Sequence, residues 1–311
     1  MMAAQRIASF LPSATEMVCA LGLADRLVAV THECDYPKDV QTKPVVVRSA
    51  LPLEGMSLSE IDVAVSERIR SGESLYLVDE KLVMELAPDL ILTQNLCQVC
   101  APSGNEIAQV LKALKPEPEI LWMTPKSLAE IEDNLRALGQ ATGRLREAEE
   151  LIASGRARLD RVASLTKNLS SRPRVFCMEW IDPIYCSGHW VPEMVEIAGG
   201  VDALSCKGTD SVRITWDNVL KWAPEVMIVS PCGFSLNKVL KHTPQLFDLP
   251  GWQNIPAVCQ GRVYAVDANS YFVRPGPRVI DGTELLAHLV HPDLFSWKGA
   301  QDAFQRLSRL H

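Results

Sequence analysis

One short stretch of this chain occurs twice, and it constrains the possible fold more than any other feature. Residues 83–97 and residues 219–233 share a Val, an Ala-Pro pair, an acidic residue and then a run of apolar residues. Because Pro interrupts a helix and a short apolar run is typical of a buried strand, each copy predicts a helix end followed by a strand. The repeat therefore predicts two similar lobes whose strands end in polar or reactive residues.

The size and composition of the chain exclude several classes of protein. Its 311 residues, 47% of them hydrophobic, can bury a core in each of two domains. The formal net charge of -7 argues against nucleic acid as a partner. No apolar run is long enough to cross a bilayer, and polar residues after Leu11 interrupt the first apolar segment too early for a secretory signal. We therefore expect no membrane segment and a cytoplasmic location, or a periplasmic one if a leader has been trimmed.

Strands and helices alternate along both halves of the chain, on either side of a long helical stretch. Alternation of this kind predicts sheets in which most strands are parallel. The stretch 144–165 is too charged for a core helix and is expected to join the lobes. The predicted fold class is α/β, with two similar lobes, mainly parallel sheets and one long joining helix. The boundaries are 1–126 for the N-terminal lobe, 127–171 for the helical linker and 172–311 for the C-terminal lobe, whose tail from residue 292 is expected to be helical.

Cys97 and Cys100, with two residues between them, form the sharpest local motif. Two thiolates at this spacing suit zinc binding or dithiol redox chemistry. A structural zinc site needs four ligands, and His32 and Cys34 could supply the others because they follow a strand of the same predicted sheet. The alternative is a pair of part-buried thiols in a loop. The candidate ligands of zinc or another transition metal are therefore Cys34, Cys97 and Cys100.

Aromatic, His and Arg residues follow several predicted strands, at the edge where open α/β sheets bind ligands. His189 either faces a ligand or lies in solvent at the start of a helix. Trp180 and Trp216 either contact the ligand or pack inside a lobe. One of Arg274 and Arg278 is expected to anchor polar groups of the ligand. Aromatic faces at these positions suit a large, flat and partly apolar ligand.

Catalytic motifs are weak in this chain. Glu179 and Asp182 could form an acid pair, but solvated loop carboxylates are the simpler interpretation. The sequence contains no Ser-His-Asp order, no phosphate-binding Gly-rich loop and no His-Glu-x-x-His motif. We therefore expect a binding protein rather than an enzyme.

The order of the motifs resembles a known family over residues 6 to about 290. Six segments and the joining helix carry the resemblance; the segments are Ser9-Phe-Leu-Pro-Ser-Ala-Thr-Glu16, Cys34-Asp-Tyr-Pro37, Ala87-Pro-Asp-Leu90, Tyr185-Cys-Ser-Gly188, Thr215-Trp216 and Tyr271-Phe-Val-Arg-Pro-Gly-Pro-Arg278. In this order they resemble the cobalamin-binding proteins of the class III substrate-binding family, the vitamin B12 and iron-siderophore type.

The resemblance implies a ligand, a function and a set of contacts. It implies that cobalamin or a related corrinoid is held between the lobes, in an interlobe cleft, by aromatic residues on loops that follow strands. Storage, trafficking and uptake with an ABC-type transporter are the roles it allows. Together with the strand-end residues already named, the candidate ligand-binding set is Pro12, His32, Tyr36, Trp180, Tyr185, His189, Trp190, Trp216, Tyr271, Phe272 and Arg274.

Some features depart from the family pattern. Members that serve a transporter carry an acidic residue on each lobe that docks on the membrane subunits, and the aligned positions here fall near Ser59 and at Trp222. Glu60 lies beside the first, and no acidic residue adjoins the second. Docking on a transporter is therefore a weak expectation. The alternative function is a metal- or thiol-dependent enzyme that uses Cys34, Cys97 and Cys100.

Overall fold

The computed structural model of the chain describes residues 3–94, 114 and 116–308. Contacts between residues divide the chain into two compact units, and each unit contains its own sheet. The first unit comprises Met1–Pro125 and Ala129–Ala153, and the second comprises Lys126–Leu128 and Ser154–His311.

The first unit is built on a six-stranded sheet. Its strands are β1 (Ile7–Ser9), β2 (Leu27–Thr31), β3 (Val45–Ser49), β4 (Tyr76–Val78), β5 (Leu90–Thr93) and β6 (Glu119–Trp122). They lie in the order β4-β3-β2-β1-β5-β6, and every neighbouring pair is parallel except β3 and β4. The central strands β1 and β5 are buried along their whole length, which explains why they are apolar without alternation.

Helices flank the strands of the first unit. They are α1 (Pro12–Ala20), α2 (Leu58–Arg70), α3 (Glu80–Leu86), most of α4 (Leu128–Thr142), and 3-10 turns at Ala24–Arg26 and Lys38–Thr42. Ser57 and Glu60 form a reciprocal capping box at the start of α2, in which each satisfies a backbone amide of the other. The helix α5 (Leu145–Thr166) contributes its residues up to Ala153 to the first unit and the remainder to the second.

The second unit contains a five-stranded sheet. Its strands are β7 (Val175–Trp180), β8 (Tyr185–Cys186), β9 (Val226–Val229), β10 (Val263–Val266) and β11 (Phe304–Arg306). The order is β11-β10-β9-β7-β8, with β7, β9 and β10 parallel and the two edge strands antiparallel to their neighbours. Its helices are α6 (Val191–Ile197), α7 (Trp216–Trp222), α8 (Leu236–His242), α9 (Pro256–Cys259), α10 (Ala268–Tyr271) and α11 (Val279–Val290), with 3-10 turns at Thr243–Asp248 and Trp252–Asn254.

The two copies of the repeat have the same local structure. Helices α3 and α7 each end at an Ala in the left-handed region, Ala87 with φ 40° and Ala223 with φ 49°. A Pro and an acidic residue follow, and then β5 or β9 begins. The repeat therefore marks the same helix–strand unit in both sheets, and the predicted fold class is confirmed.

One local expectation was wrong. The tail from residue 292 forms β11 at the edge of the second sheet rather than a helix. The charged stretch 144–165 forms the single helix α5 as expected, and Gly143, with φ 72°, separates it from α4.

Candidate functional site

The second unit places an aromatic cluster at the carboxyl ends of β7 and β9. Trp180 is the last residue of β7, and its ring meets Phe234 edge-on with 5.4 Å between ring centroids. The indole N–H of Trp180 donates to the carbonyl of Asp182, which fixes the orientation of the ring. His242, at the end of α8, lies 5.4 Å from the other side of Phe234. The three rings form a platform at the edge where parallel sheets bind ligands.

Two lysines and one histidine set the charge at this platform. The Nζ atom of Lys238 lies 5.1 Å from the centroid of Phe234, at cation–π distance. Burial lowers the pKa of His242, and the nearby Lys238 and Lys241 lower it further. His242 is therefore a neutral ring at pH 7. The sequence analysis missed both Phe234 and His242, although Phe234 follows directly on the second copy of the repeat.

The turn after β8 lies beside β7 rather than at its carboxyl end, because β8 is antiparallel to β7 and the N–H of Ser187 donates to the Cys177 carbonyl. Gly188 leads into His189, which adopts the left-handed conformation with φ 53°. The Nε2 atom of His189 lies 3.2 Å from Oδ1 of Asp210, within ion-pair distance but without hydrogen-bond geometry. The Nζ atom of Lys126 lies 3.5 Å from the same oxygen. Burial is the main cause that lowers the pKa of His189, against the raising effect of Asp210.

Two candidate residues are buried in the core instead. Trp190 is 4% exposed and Phe272 is 1% exposed. The indole N–H of Trp190 donates to the Phe272 carbonyl at 2.7 Å, which satisfies the polar atom of the ring. The structure thus places both side chains as packing residues that support the neighbouring turn.

The remaining candidates of the second unit lie in separate surroundings. Trp216 stacks on Trp252 with 6.1 Å between ring centroids and donates to the carbonyl of Pro250. Tyr271 meets Trp297 edge-on at 5.7 Å. Tyr185, on the edge strand β8, and Arg274, in the loop after α10, are both partly exposed. The structure therefore does not bring Trp216 into the platform of Trp180.

In the first unit the candidates follow β1 and β2. Pro12 is the first residue of α1, and His32 and Tyr36 are exposed. Cys34 is buried, with its Sγ 3.1 Å from Oγ1 of Thr15. Cys97 and Cys100 lie outside the described residues. Among residues 3–94, 114 and 116–308, no group of three or more His, Cys, Asp or Glu side chains is arranged to hold a metal ion.

Glu179 differs from the expectation of a solvated loop carboxylate. It is part of β7 and is partly buried. Ser211 donates to its Oε1 at 2.6 Å, and the backbone N–H of Gly188 also donates to its carboxylate. Burial raises the pKa of Glu179 to about 7, against the lowering effect of these two hydrogen bonds. Its position within the strand, rather than after it, explains the difference.

The two positions aligned with docking residues have structural roles here. The Glu60 carboxylate accepts from the backbone N–H and the hydroxyl of Ser57 in the cap of α2. The indole of Trp222 donates to the carbonyl of Val175 at 3.0 Å. Each side chain thus makes hydrogen bonds within its own unit and stabilises the local structure there.

Comparison with known proteins gives a consistent result. Residues 7–270 match the model of the periplasmic binding protein family. The uncharacterized ABC transporter substrate-binding lipoprotein YvrC of Bacillus subtilis is 29% identical, over 94% of this chain and 81% of that protein. The vitamin B12-binding protein of Vibrio cholerae is 28% identical, over 90% of this chain and 87% of that protein.

A solved structure extends the likeness to the fold. The periplasmic heme-binding protein RhuT from Roseiflexus is similar with a TM-score of 0.69 and 21% identity, over 93% of this chain and 98% of that one. Within the part of the chain that the structure describes, no helix is both long and apolar enough to span a membrane. None of these similar proteins supports the cytoplasmic location expected from the sequence.

Proposed function

We propose, for a chain that belongs to the periplasmic binding protein family, that the ligand is cobalamin or a related corrinoid. The family and the relatives establish the coarser function, which is the binding of a small-molecule ligand. Three kinds of ligand are named among the relatives and similar structures, vitamin B12, heme and iron. The shape of the ligand is argued from the second unit, and the preference for cobalamin is supported by the vitamin B12-binding relative.

The observation that carries the proposal is the platform of Trp180, Phe234 and His242. Its ring centroids lie 5.4 Å apart at the end of two parallel strands, with the rings inclined by 66° and 44°, and the partly exposed rings of Trp180 and His242 pack on the buried Phe234. A tetrapyrrole-like macrocycle buries a large flat face, for which aromatic side chains are the best complement. Either a corrinoid or a heme satisfies this requirement, so the platform defines the shape of the ligand.

The charges at the platform do not separate the two tetrapyrroles. Lys238 lies over Phe234, and both Lys238 and Lys241 are close enough to lower the pKa of His242, so these cations could pair with heme propionates or donate to corrin carboxamides. The preference for the corrinoid is supported instead by the relatives, since the vitamin B12-binding protein is 28% identical and the heme-binding structure is 21% identical.

The test is equilibrium binding of cyanocobalamin, with hemin and a ferric siderophore as competitors. We expect saturable binding of cyanocobalamin at micromolar or tighter affinity. Trp180→Ala should weaken it by about tenfold or more, because the ring loses its stacking contribution and burial. Leu294→Ala, an exposed apolar residue beyond α11, is the matched control. Unchanged affinity in Trp180→Ala, or tighter binding of hemin, would contradict the proposal.

For the biological role we propose delivery to an ABC-type transporter over storage in the cytoplasm. The support is the description of the Bacillus subtilis relative as an ABC transporter substrate-binding lipoprotein. Because Glu60 is engaged in the cap of α2, docking would have to use other surface residues. Co-purification of the ligand-loaded protein with an ABC-type transporter of the same organism tests this role, and the absence of a complex at micromolar concentrations would favour storage.

A further inference from the structure

The carboxyl group of Glu179 is hydrogen-bonded to two different segments of the second unit. The Glu179 carboxylate accepts from the backbone N–H of Gly188 and from the hydroxyl of Ser211. Gly188 belongs to the turn after β8, and Ser211 belongs to residues 205–213, which we call the strap. Glu179 itself lies on β7, so its side chain connects this strand with the turn and with the strap.

The turn and the strap are in direct backbone contact. A Cβ atom added at Gly188 would lie 2.6 Å from both the nitrogen of Ser211 and the carbonyl oxygen of Thr209. His189 donates its N–H to the Thr209 carbonyl at 2.6 Å, and its own carbonyl accepts from Gly208 at 3.0 Å. The strap therefore runs alongside the turn in backbone hydrogen-bond contact. A displacement of either segment must break these bonds or move the other segment.

Further contacts hold both ends of the strap. At one end the hydroxyl of Ser205 lies 3.2 Å from that of Ser187 and donates to Asp202 at 2.7 Å. At the other end the N–H of Cys186 donates to the Val212 carbonyl at 3.0 Å. Glu179, on β7, accepts from Ser211, which lies in the strap between these two anchors. With a pKa of about 7, it is the group beneath the strap that changes charge near neutral pH.

The charged and titratable groups around Glu179 come from several elements. Cys177 on the same strand and Cys186 on β8 are thiols whose pKa values are raised by burial, so both stay neutral. Burial also raises the pKa of Asp202, which precedes the strap. On the other side of the turn, Asp210 faces His189 and Lys126. Within the described part of the chain, none of these contacts places a cation on the Glu179 carboxylate.

We infer that Glu179 is a positioning residue for the turn after β8 and the adjoining end of β7, and that loss of its proton loosens the strap and weakens the hold on the ligand. The inference rests on the proposed function, since Glu179 is the neighbour in β7 of Trp180, which carries the proposed ligand contact. With the proton in place, the carboxyl and its two donors form a neutral hydrogen-bonded unit under the strap. An ionised carboxylate there is less well hydrated than in solution, because the turn and the strap leave Glu179 only partly exposed, so ionisation favours states in which the strap is lifted.

Linkage gives the direction of the effect. The closed strap holds the Glu179 carboxyl with a pKa of about 7, whereas a solvated carboxyl titrates near 4.5. The closed state therefore binds the proton more tightly, and raising the pH through 7 shifts the population toward the open state. Glu179→Gln replaces the carboxyl by a neutral group of the same shape, which still accepts from Ser211 and cannot ionise.

The first experiment uses the protein without ligand. Indole N–H signals of Trp180 and Trp190, which adjoin Glu179 and His189, are followed by NMR from pH 5.5 to 8.5. The chain has seven Trp residues, so the signals can be assigned with single Trp→Phe variants. We expect a transition centred near pH 7 in the natural protein that is absent in Glu179→Gln. It should persist in Asp217→Asn, which removes an exposed carboxylate from α7. No transition, or one that survives in Glu179→Gln, would overturn the inference.

The second experiment measures cyanocobalamin affinity over the same range. We expect about fivefold to tenfold weaker binding at pH 8.5 than at pH 6 in the natural protein, and a flat profile in Glu179→Gln at the low-pH affinity. A pH profile that is the same in both proteins would overturn the assigned role. If no ligand binds at any pH, the proposed function fails, and the inference about the turn is decided by the NMR transition alone.

Discussion

The two copies of the repeat share their framework and differ in the residues beyond it. In the first, Arg6 precedes β1 and donates to the carbonyls of Leu86 and Ala87 at the end of α3. In the second, Arg174 precedes β7 and donates to the carbonyl of Ala223 at the end of α7. An acidic residue then accepts from the backbone N–H of each Arg, Asp89 in one unit and Glu225 in the other.

Beyond the strand the two units diverge. After β5 the chain runs into Gln94, a buried amide whose Nε2 has no partner among the described residues. After β9 it runs through Cys232 and Gly233 to Phe234, the centre of the aromatic platform. The shared part joins a helix to a strand, and the divergent part carries the candidate site. The shared framework and the candidate site thus lie in different residues of one repeated unit.

The largest expected effect comes from adding a side-chain atom at Gly188, in the turn after β8 of the second unit. Gly188→Ala places a Cβ 2.6 Å from backbone atoms of the strap, so the turn or the strap must move. We expect a loss of about 3 kcal/mol in the free energy of unfolding, together with loss of ligand binding. Urea denaturation and ligand titration measure the two effects.

The matched control for Gly188 lies within the strap itself. Gly208 has φ 70° and has no atom within 4 Å of an added Cβ, so Gly208→Ala adds backbone strain without a clash. We expect Gly208→Ala to cost about 1 kcal/mol. Equal effects of the two substitutions would show that the close contact between the turn and the strap contributes nothing to the free energy of unfolding.

A second prediction concerns the pH dependence of stability. The folded protein raises the pKa of Glu179 from 4.5 to about 7, mainly through burial. This group therefore contributes stability that is fully present below about pH 4.5 and is lost as the pH rises through about 7. At pH 8 we expect Glu179→Gln to be more stable than the natural protein by about 2 kcal/mol, and the two to converge near pH 4.5. Thermal unfolding at several pH values tests this, and a difference that does not vary with pH would contradict it.

The framework could be predicted from sequence because it depends on local patterns. The Ala-Pro-acid unit and the apolar strands β2, β5 and β7 follow from propensity and periodicity alone, because each strand is a short apolar run. The edge strands β4 and β11 could not, because each is a short segment defined only by the partner with which it pairs. Pairing across 30 or more residues leaves no local signal.

The site could be predicted only as a location. Strand ends point to Trp180 and His189, but only Trp180 lies at the carboxyl edge of the parallel strands, because β8 runs antiparallel to β7 and carries His189 away from that edge. The burial of Trp190 against Phe272 and the contact of Phe234 with Trp180 depend on how separate loops pack, which sequence spacing does not determine. The sequence pattern places Glu179 in solvent because its partners, Gly188 and Ser211, are distant along the chain.

A third prediction tests whether the two frameworks have equal strength. Asp89 accepts from the backbone N–H groups of both Gln5 and Arg6, whereas Glu225 accepts from that of Arg174 and pairs with its guanidinium at 3.5 Å. Because both sites are partly exposed, we expect Asp89→Ala to cost about 1.5 kcal/mol and Glu225→Ala about 1 kcal/mol. Denaturation of each variant measures the difference. A larger cost at Glu225 would show that the ion pair outweighs the additional backbone hydrogen bond.

The smallest effect should come from the two left-handed Ala residues. Ala87 and Ala223 end α3 and α7 with positive φ, a conformation that a Cβ disfavours and Gly adopts freely. Replacing either by Gly should stabilise the protein by about 0.5 kcal/mol, since the relief of strain exceeds the entropic cost of Gly in the unfolded chain. Ala20→Gly, in the last turn of α1 with ordinary helical geometry, is the control and should destabilise the protein by a similar amount. Equal gains at Ala87 and Ala223 would show that the repeat is the same structural unit in energy as well as in shape, whereas a gain at one position alone would mean that the loops beyond the strands, which differ between the units, also set the strain within the shared framework.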